Sequence, residues 1–465
     1  MIPIRAGDVV EWTGGRLLHG SRESVFSGVS TDTRDDLAGK LFVALIGATH
    51  DAHAFLAQAL AGGATGLLVS RPEAVPAGAE AAVFAVADTT LALGALAAGH
   101  RAGFAGPVVA ITGSNGKTTT KEMCAAILSG LGPCLKNRGN LNNNIGLPLT
   151  LLERDAAHRT LVVEIGMNHR GEIAPLVAIA KPTVGVITNV GTAHIEHLGS
   201  REAIALEKGD LVAALPATAT AVLNADDPRA LAQQGRTQAR VLSFGTAAGA
   251  GVRAEHVTAL GERGFAFDLV TAGARTAVQV SGLADSTVPN ALAAAAAALA
   301  AGASLDAVAE GLARYRPIGG RMERVALPRN IILINDTYNA NPQSMQVALE
   351  SLAKLKGRSR AIAVLGDMGE LGDSALEAHR ATGKLVATLG LDHLFALGHF
   401  ARPLADAAVG AGMASERVHV GETHEAIASA VRELLQGNDW VLVKGSRSMK
   451  MERVVEALAA SVEGR

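Results

Sequence analysis

Apolar and polar positions along the chain alternate between short apolar runs and longer stretches with helical spacing. Residues 161–165 and 184–188 are almost continuously apolar and rich in β-branched side chains. Such runs are typical of strands covered on both faces of a parallel sheet. Amphipathic or alanine-rich segments separate them, so the pattern predicts an α/β protein with parallel sheets and crossover helices.

The same pattern predicts three domains, the number that is usual for about 465 residues. Residues 1–88 combine strand-like pieces at 25–29, 41–45 and 66–69 with a helical stretch at 55–61. We therefore expect a small α/β domain at the start of the chain.

Residues 89–313 form the predicted central domain, with a helix near 91–101 followed by the parallel strand series. Residues 251–280 alternate between apolar and polar positions, which predicts an antiparallel addition to the central sheet. An alanine-rich helix at 290–301 closes this domain.

Residues 314–465 form the third predicted domain, a Rossmann-like, doubly wound sheet. Helical patterns separate its predicted strands, which lie at 331–334, 361–365, 394–397, 417–420 and 440–443.

Composition narrows the class of protein. The formal net charge of −2 gives no reason to expect nucleic acid or an anionic membrane as a partner. Two cysteines are too few for a disulfide framework and fit a reducing compartment. The first residues show no apolar core of signal-peptide length, and the longest low-charge run, 291–305, is short for a membrane span. We expect a cytoplasmic protein without membrane insertion.

The clearest chemical signal is TGSNGKTT at residues 112–119, between an apolar run and a helical pattern. Gly113 and Gly116 allow the backbone to approach an anion closely. The first amides of the following helix and its dipole attract phosphate. Lys117 can then reach the terminal phosphates, and Thr118 can join a Mg²⁺ shell. The usual phosphate loop has a glycine five positions before Gly116, which this chain lacks, so the loop is a shorter variant.

Other polar residues follow predicted strands. Glu164 is consistent with a metal-binding carboxylate at a strand end and equally with an ordinary surface glutamate. His194 and His197 have the spacing of a zinc pair, but no cysteine cluster or further spaced histidine supports zinc. His197 is therefore expected to be a solvated loop residue. By itself, Lys208, in a helical stretch among glutamates, predicts an exposed lysine.

Several loops also have the composition of ligand-binding segments. Residues 137–148 are rich in asparagine and predict either a turn or a polar ligand loop. In the third domain, polar loops at 335–342, 366–372 and 444–447 each follow a predicted strand. Because the carboxyl ends of parallel strands meet at one edge, we expect these loops to form a cleft wall facing the phosphate loop.

Together these motifs resemble those of the Mur ligase superfamily of amide-forming ATP enzymes, which includes the folylpolyglutamate synthases. The short phosphate loop is similar to the loop of this group. The resemblance covers essentially the whole chain and is narrowest to members that add D-alanyl-D-alanine to a UDP-linked muramoyl tripeptide. The segments that carry it are VSTDTR (29–34), LFVALIG (41–47), TGSNGKTT (112–119), GNLNNNIGLP (139–148), DTYNANP (336–342), GDMGELG (366–372) and KGSR (444–447).

The resemblance implies an ATP-dependent ligase that acts on UDP-N-acetylmuramoyl-tripeptide and D-alanyl-D-alanine through an acyl phosphate, with Mg²⁺. It also implies a monomer that works in cytoplasmic peptidoglycan synthesis. Residues 1–88 would bind the UDP substrate, and residues 89–313 would bind ATP.

The resemblance also assigns roles to single residues. The catalytic residues would be Lys117, Glu164, His194 and Lys208. Two Mg²⁺ ions would be held by Thr118, Glu164, His194 and Lys208, the lysine as an anionic carbamate. ATP would contact Gly113, Ser114, Asn115, Gly116, Lys117, Thr118, Thr119, Asn290, Arg321, Asp336, Tyr338 and Asn339. The UDP substrate would contact Ser30, Asp32, Thr33, Arg34, Asn140, Asn142 and Asn143.

One segment departs from the family pattern. Family members usually have a His-Asn pair near the adenine, shortly before the Asn-Ala-Leu that opens the alanine-rich helix. This chain reads STVP at 286–289, directly before Asn290. We expect the base to be held differently or less tightly, with Asn290 as an adenine-side candidate.

Three alternatives stay open. The sibling ligase that adds the third amino acid usually shows an Asp-Asn-Pro-Arg motif, which is absent from this sequence. A folylpolyglutamate synthase-like ligase is less consistent with the VSTDTR segment. A nucleotide-gated binding protein without ligase activity would be expected to lack Glu164, His194 or Lys208, and all three are present.

Overall fold

A computed structural model describes residues 1–460, which form mixed α/β layers around four sheets. The predicted α/β class is confirmed. None of the helices in residues 1–460 combines the length and the apolarity needed to cross a membrane.

The N-terminal part contains a five-stranded sheet in the order β2-β7-β6-β5-β4, and a separate β1–β3 pair. Its strands are β1 Ile4–Arg5, β2 Arg16–His19, β3 Val25–Phe26, β4 Val29–Ser30, β5 Leu41–Val43, β6 Gly66–Val69 and β7 Ala82–Ala85. Its helices are α1 Ala6–Thr13 and α2 Leu56–Ala61, and α3 Thr89–Ala102 then leads to the central sheet. Strands β4 to β7 pair in parallel, and β2 pairs antiparallel with β7.

The prediction of one continuous strand at 25–29 is wrong. The segment is two short strands, because β3 pairs with β1 while β4 pairs with β5 in the larger sheet. The chain changes sheets between them, where Ser27 N donates to Gly39 O.

The central part is a nine-stranded sheet in the order β16-β15-β14-β13-β12-β11-β8-β10-β9. Its strands are β8 Val108–Thr112, β9 Cys134–Lys136, β10 Thr160–Glu164, β11 Val184–Ile187, β12 Thr220–Asn224, β13 Arg240–Gly245, β14 Val252–Ala259, β15 Phe265–Thr271 and β16 Ala274–Val280. Its helices are α4 Lys117–Leu128, α5 Gly146–Leu152, α6 Ile173–Ala180, α7 Ile195–Leu198, α8 Arg201–Ala213, α9 Pro228–Leu231, α10 Thr287–Ala300 and α11 Leu305–Arg314.

Two predictions for the central sheet are confirmed. Strands β14, β15 and β16 pair antiparallel and extend the otherwise parallel sheet. The alanine-rich helix α10 is buried, with no exposure along 291–298, and it packs against α4. The small alanine side chains allow α10 to pack closely on α4 and on strands β12 and β13.

The C-terminal part is a six-stranded sheet in the order β17-β18-β22-β19-β20-β21, parallel except for β17. Its strands are β17 Glu323–Leu327, β18 Ile331–Asp336, β19 Ala361–Gly366, β20 His393–Leu397, β21 Val418–Gly421 and β22 Trp440–Lys444. Its helices are α12 Pro342–Leu355, α13 Ala375–Thr388, α14 Ala401–Gly410, α15 His424–Leu434 and α16 Glu452–Ala460. Separate apolar clusters cover its two faces, as expected for a doubly wound sheet.

Short 3₁₀ helices complete the secondary structure. They span Ala52–Phe55, Pro72–Ala74, Ser129–Leu131, Ala232–Arg236, Gly261–Arg263, Gly372–Ser374, Ser415–Arg417 and Arg447–Met449.

Candidate active site

The phosphate loop connects the end of β8 to the start of α4, as the sequence predicts. Gly113 and Gly116 both have positive φ values, 153° and 79°. A Cβ atom at position 113 would overlap Thr188 Oγ1, so only glycine fits between the loop and the end of β11. The loop therefore depends on glycine for its shape as well as for access to an anion.

Hydrogen bonds fasten the loop to the segment that follows β11. Ser114 N donates to Asn189 O over 3.0 Å, and Asn115 N donates to Asn189 Oδ1 over 2.9 Å. Thr188 Oγ1 donates to Asn115 O over 2.6 Å. These hydrogen bonds do not use the first backbone amides of α4. The amides at this helix N-terminus can therefore donate hydrogen bonds to phosphate oxygens.

Lys117 and Thr118 begin α4 and face the same cleft. Lys117 Nζ donates to Gly113 O over 2.8 Å, which folds the ammonium group back over the loop. Thr118 Oγ1 donates to Glu164 Oε2 over 2.7 Å. The residues at the helix start are thus linked to the carboxylate at the end of β10.

Glu164 is the last residue of β10 and is only 3% exposed, so the surface alternative for this residue is wrong. Asn142 Nδ2 donates to its Oε1 over 2.8 Å. Burial by itself would raise the pKa of Glu164, but the charge of Lys117 and the Thr118 hydrogen bond outweigh burial and lower the pKa. The buried carboxylate is therefore ionised at neutral pH.

The oxygen atoms that could ligate a metal ion near Glu164 fit Mg²⁺ better than zinc. A hydroxyl and a carboxylate oxygen lie side by side, and Mg²⁺ typically takes one or two protein carboxylates with waters and phosphates. Within residues 1–460, no group of three or more His, Cys, Asp or Glu side chains could hold a metal ion. His197 is exposed and lies beside His169, with 4.6 Å between the ring centroids and an angle of 37° between the ring planes.

Lys208 lies on the inner face of α8 and is 1% exposed, so the prediction of an exposed lysine is wrong. Burial, followed by the nearby charge of Lys117, holds the pKa of Lys208 well below its ordinary value. The adjacent Glu207 is occupied elsewhere, because its carboxylate accepts from the backbone amides at the start of α6, including Ile173 N over 2.9 Å. Lys208 is thus a buried amine whose protonation is penalised by its surroundings.

The C-terminal sheet supplies the opposite wall of the cleft. The Arg321 guanidinium lies 3.8 Å from the ring centroid of Tyr338, within range of a cation–π contact. Lys444 Nζ donates to Asp336 Oδ2 over 2.6 Å and to Asn339 O over 3.0 Å. Lys444, 1% exposed, begins the loop predicted for the cleft wall, but it was not assigned a role of its own.

Side-chain amides of the C-terminal domain contact the phosphate loop directly. Asn341 Nδ2 donates to Asn115 Oδ1 over 2.8 Å, and Asn115 Nδ2 donates to Gln343 Oε1 over 3.2 Å. Asn341 also caps α12 by accepting from Ser344 N. These contacts were not predicted, although Asn341 belongs to the quoted motif DTYNANP.

These walls enclose a cavity of about 420 Å³. Predicted site residues that line it are Ser114, Asn115, Gly116, Lys117, Thr118, Thr119, Asn140, Asn142, Asn143, Glu164, His194, Asn290, Arg321, Asp336, Tyr338 and Asn339. Asn290 lies directly behind the phosphate loop, because a Cβ atom at position 116 would overlap its Oδ1.

The predicted residues at 30–34 do not line this cavity. They form a separate turn in the N-terminal domain, where Ser30 Oγ donates to Asp35 Oδ2 over 2.7 Å. Arg34 Nε donates to Asp32 Oδ1 over 2.9 Å, and this hydrogen bond lowers the pKa of Asp32 to about 2. Lys208 also lies behind the cavity wall and does not line it.

Comparison with known proteins gives a consistent family. The family models described as the Mur ligase middle domain and the Mur ligase glutamate ligase domain match residues 111–298 and 320–447. The UDP-N-acetylmuramoyl-tripeptide–D-alanyl-D-alanine ligase of Escherichia coli K12 is 38% identical, over 98% of this chain and 99% of that protein.

Solved structures agree with the sequence matches. A MurF crystal structure from Acinetobacter baumannii superposes with a TM-score of 0.89 at 35% identity, covering 98% of this chain and 99% of that one. The Thermotoga maritima MurF ligase in complex with ADP gives a TM-score of 0.82 at 28% identity, covering 94% and 98%. With both domain models in order along one chain and a relative 38% identical over nearly all of it, this protein belongs to the Mur ligase family.

Proposed function

We propose that the chain is an ATP-dependent ligase that joins D-alanyl-D-alanine to UDP-N-acetylmuramoyl-tripeptide. The observation that carries this function is one cleft in which the phosphate loop and Glu164 lie beside an asparagine-rich loop and opposite Arg321 and Tyr338. A relative named for this reaction matches nearly the full length of the chain.

The chemistry requires an activated acid. A carboxylate is a poor electrophile, because oxide would have to leave. Transfer of the γ-phosphoryl group of ATP to the terminal carboxylate of the tripeptide gives an acyl phosphate and ADP. The amine of D-alanyl-D-alanine then attacks the acyl carbon, phosphate leaves, the amine loses a proton, and a peptide bond remains. The protein contributes mainly by positioning these groups and by offsetting charge.

Residues of the phosphate loop are suited to the nucleotide. In this proposal the amides of residues 113–119 hold the phosphates, and the Lys117 ammonium group offsets charge on the transferred phosphoryl group. The stacked Arg321 and Tyr338, together with Asp336 and Asn339, bind ATP from the C-terminal side. Asn290, behind the loop, stays the candidate on the adenine side. The Thermotoga maritima relative was solved with ADP, which supports a nucleotide site in this family.

Thr118, Glu164, His194 and Lys208 are proposed to hold two Mg²⁺ ions, Lys208 as its carbamate. When bound, Mg²⁺ would neutralise phosphate charge between the nucleotide and the acceptor carboxylate. The ionised, buried Glu164 fits this role, and so does the lowered pKa of Lys208, because only a neutral amine reacts with carbon dioxide.

The acceptor is proposed to span two regions of the protein. Asn140, Asn142 and Asn143 line the cleft and offer neutral donors and acceptors to the nucleotide-sugar portion. The turn at 30–34 would bind the UDP end farther from the reacting carboxylate.

The test is ADP release from ATP and Mg²⁺ with the UDP-tripeptide, measured with and without D-alanyl-D-alanine, and mass spectrometry of the product. We expect sustained turnover only with both substrates. Turnover with glutamate and a folate would favour the folylpolyglutamate synthase alternative. Turnover with the UDP-dipeptide and a single amino acid would favour the sibling ligase. ADP binding without turnover on any acceptor would favour a nucleotide-gated binding protein.

A further inference from the structure

Asn137 is wholly buried and brackets the backbone of Glu164. Its Oδ1 accepts from Glu164 N over 2.9 Å, and its Nδ2 donates to Glu164 O over 3.1 Å. The same Nδ2 donates to Leu141 O over 2.8 Å, next to Asn142, which binds the Glu164 carboxylate. One amide side chain therefore fixes both the end of β10 and the start of the asparagine-rich loop.

Lys121 supports Asn137 from the other side. It lies one turn after Lys117 on α4, has no exposed surface, and donates from Nζ to Asn137 O over 2.6 Å. Glu122 Oε1 is 3.3 Å from the same ammonium group. Burying an ammonium group is costly unless its charge is paired and its hydrogen bonds are made. In this arrangement Lys121 contributes a hydrogen bond from the nucleotide helix to the loop that frames Glu164.

These contacts close a ring across three segments. Starting on α4, Thr118 donates to the Glu164 side chain, Asn137 holds the Glu164 backbone, and Lys121 returns to α4. A shift of α4 relative to β10 would break at least one member of this ring. The ring thus keeps the phosphate loop in register with the carboxylate and with Asn142.

We propose that Lys121 and Asn137 are positioning residues that hold Glu164 where it serves the magnesium-bound nucleotide. Neither contacts the cavity, and both act through Glu164. The inference rests on the proposed function, because it assumes that Glu164 acts on the magnesium-bound nucleotide. Partners in the outer shell of a metal site typically affect metal affinity or activity by about 10–100-fold.

The test measures binding of a non-hydrolysable ATP mimic by calorimetry, once with Mg²⁺ and once with EDTA. The ratio of the two dissociation constants is the magnesium-linked gain. We expect Lys121→Met to lower this gain by about 10–100-fold and to leave binding in EDTA within about twofold. Lys121→Gln, which keeps an N–H donor near Asn137 O, should recover part of the gain. Neither acceptor nor dipeptide is present, so a failed ligase assay would not affect this measurement.

Thr120→Val is the matched control, because Thr120 is buried on the same helix turn and its Oγ1 has no hydrogen-bond partner within residues 1–460. Its magnesium-linked gain should equal that of the wild type. An unchanged gain in folded Lys121→Met would overturn the proposal. An equal loss of affinity for the ATP mimic with and without Mg²⁺ would also overturn the proposal, because it would mean that the substitution distorts the phosphate loop itself. If Lys121→Met does not fold, the Lys121→Gln variant decides the question. A wild-type magnesium-linked gain in Lys121→Gln would then count against positioning, provided that its crystal structure shows a longer, weaker side-chain contact to Asn137.

Discussion

His194 Nδ1 lies 2.6 Å from Glu370 Oε2, and this contact joins the central domain to the C-terminal domain across the cleft. Both residues have left-handed backbones, with φ values of 64° and 60°. Few non-glycine residues adopt this conformation, and its cost is offset by the surrounding structure. The contact with His194 lowers the pKa of Glu370, so the carboxylate stays charged. Two constrained loops therefore meet in a close imidazole–carboxylate contact between domains.

Glu370→Gln should weaken domain closure without abolishing chemistry. The Glu370 side chain is 44% exposed, and pairs of this kind contribute at most about 1 kcal/mol after solvent screening. We expect the KM for ATP to rise by no more than about fivefold, with little change in kcat. Steady-state ADP release measures both. Glu422→Gln, at an exposed position of the same domain, is the control, and a hundredfold loss of kcat in Glu370→Gln would assign Glu370 to the chemistry instead.

Lys117→Ala should reduce kcat by at least about 10²–10³-fold, the usual loss when one preorganised group facing developing charge is removed. Lys117 is the lysine of the phosphate loop, and its Nζ already lies over that loop. The measurement is steady-state turnover with saturating UDP-tripeptide and D-alanyl-D-alanine. Lys384→Ala removes an exposed lysine from α13 and should be neutral. Near-normal turnover of Lys117→Ala would contradict the phosphate role.

Local sequence patterns predicted the sheets and the strand-end loops, because these depend on side-chain periodicity and turn chemistry. The strand break between Val25–Phe26 and Val29–Ser30 was not predictable locally, since it depends on which sheet each half joins. The contact of Asn115 with Asn341 spans 226 positions and depends on how two domains meet. Such contacts have no local signal.

Lys208 shows a signal that was present in the sequence and was missed. Within α8, Ile204, Lys208 and Leu211 are spaced i, i+4, i+7 and share the buried face. The neighbouring glutamates suggested a solvated helix, yet Glu207 is itself buried as a partner of backbone amides. Helical spacing, and not the charge of the neighbouring residues, would have predicted that Lys208 is buried.

Gly116→Ala and Gly171→Ala separate backbone strain from steric overlap. The two glycines have nearly equal φ values, 79° and 81°, so alanine costs about 1–2 kcal/mol of stability at either position. A Cβ atom at position 116 would overlap Asn290 Oδ1, whereas position 171 has no atom within 4 Å. We expect only Gly116→Ala to weaken binding of the ATP mimic, by at least about tenfold, which corresponds to 1.4 kcal/mol or more. If calorimetry gave the two variants equal affinities for the ATP mimic, and their urea unfolding midpoints matched, the overlap with Asn290 would have to be relieved by a local shift.

Lys208→Met should leave the fold at least as stable as the wild type while reducing activity. Burial penalises the charged amine, so the pKa of Lys208 is lowered, and folding stability falls as pH drops from the ordinary lysine value of 10.5 through the lowered pKa. Below that window the penalty is complete, and a methionine of similar shape does not incur it. In buffer depleted of carbon dioxide at low pH within the stable range, we expect an unchanged or higher Tm for Lys208→Met. Turnover should fall by about 10–100-fold, because methionine cannot form the proposed carbamate.

Lys208→Ala distinguishes the carbamate from a packing role. Alanine leaves a space behind the cavity wall that a short carboxylate can enter, whereas methionine fills it. Acetate or formate should therefore restore part of the activity of Lys208→Ala and none of that of Lys208→Met. The comparison uses the same ADP-release assay, with chloride at equal ionic strength as the control anion. Full activity of either variant without added carboxylate would remove the carbamate from the site, because no anion would then be needed beside Glu164.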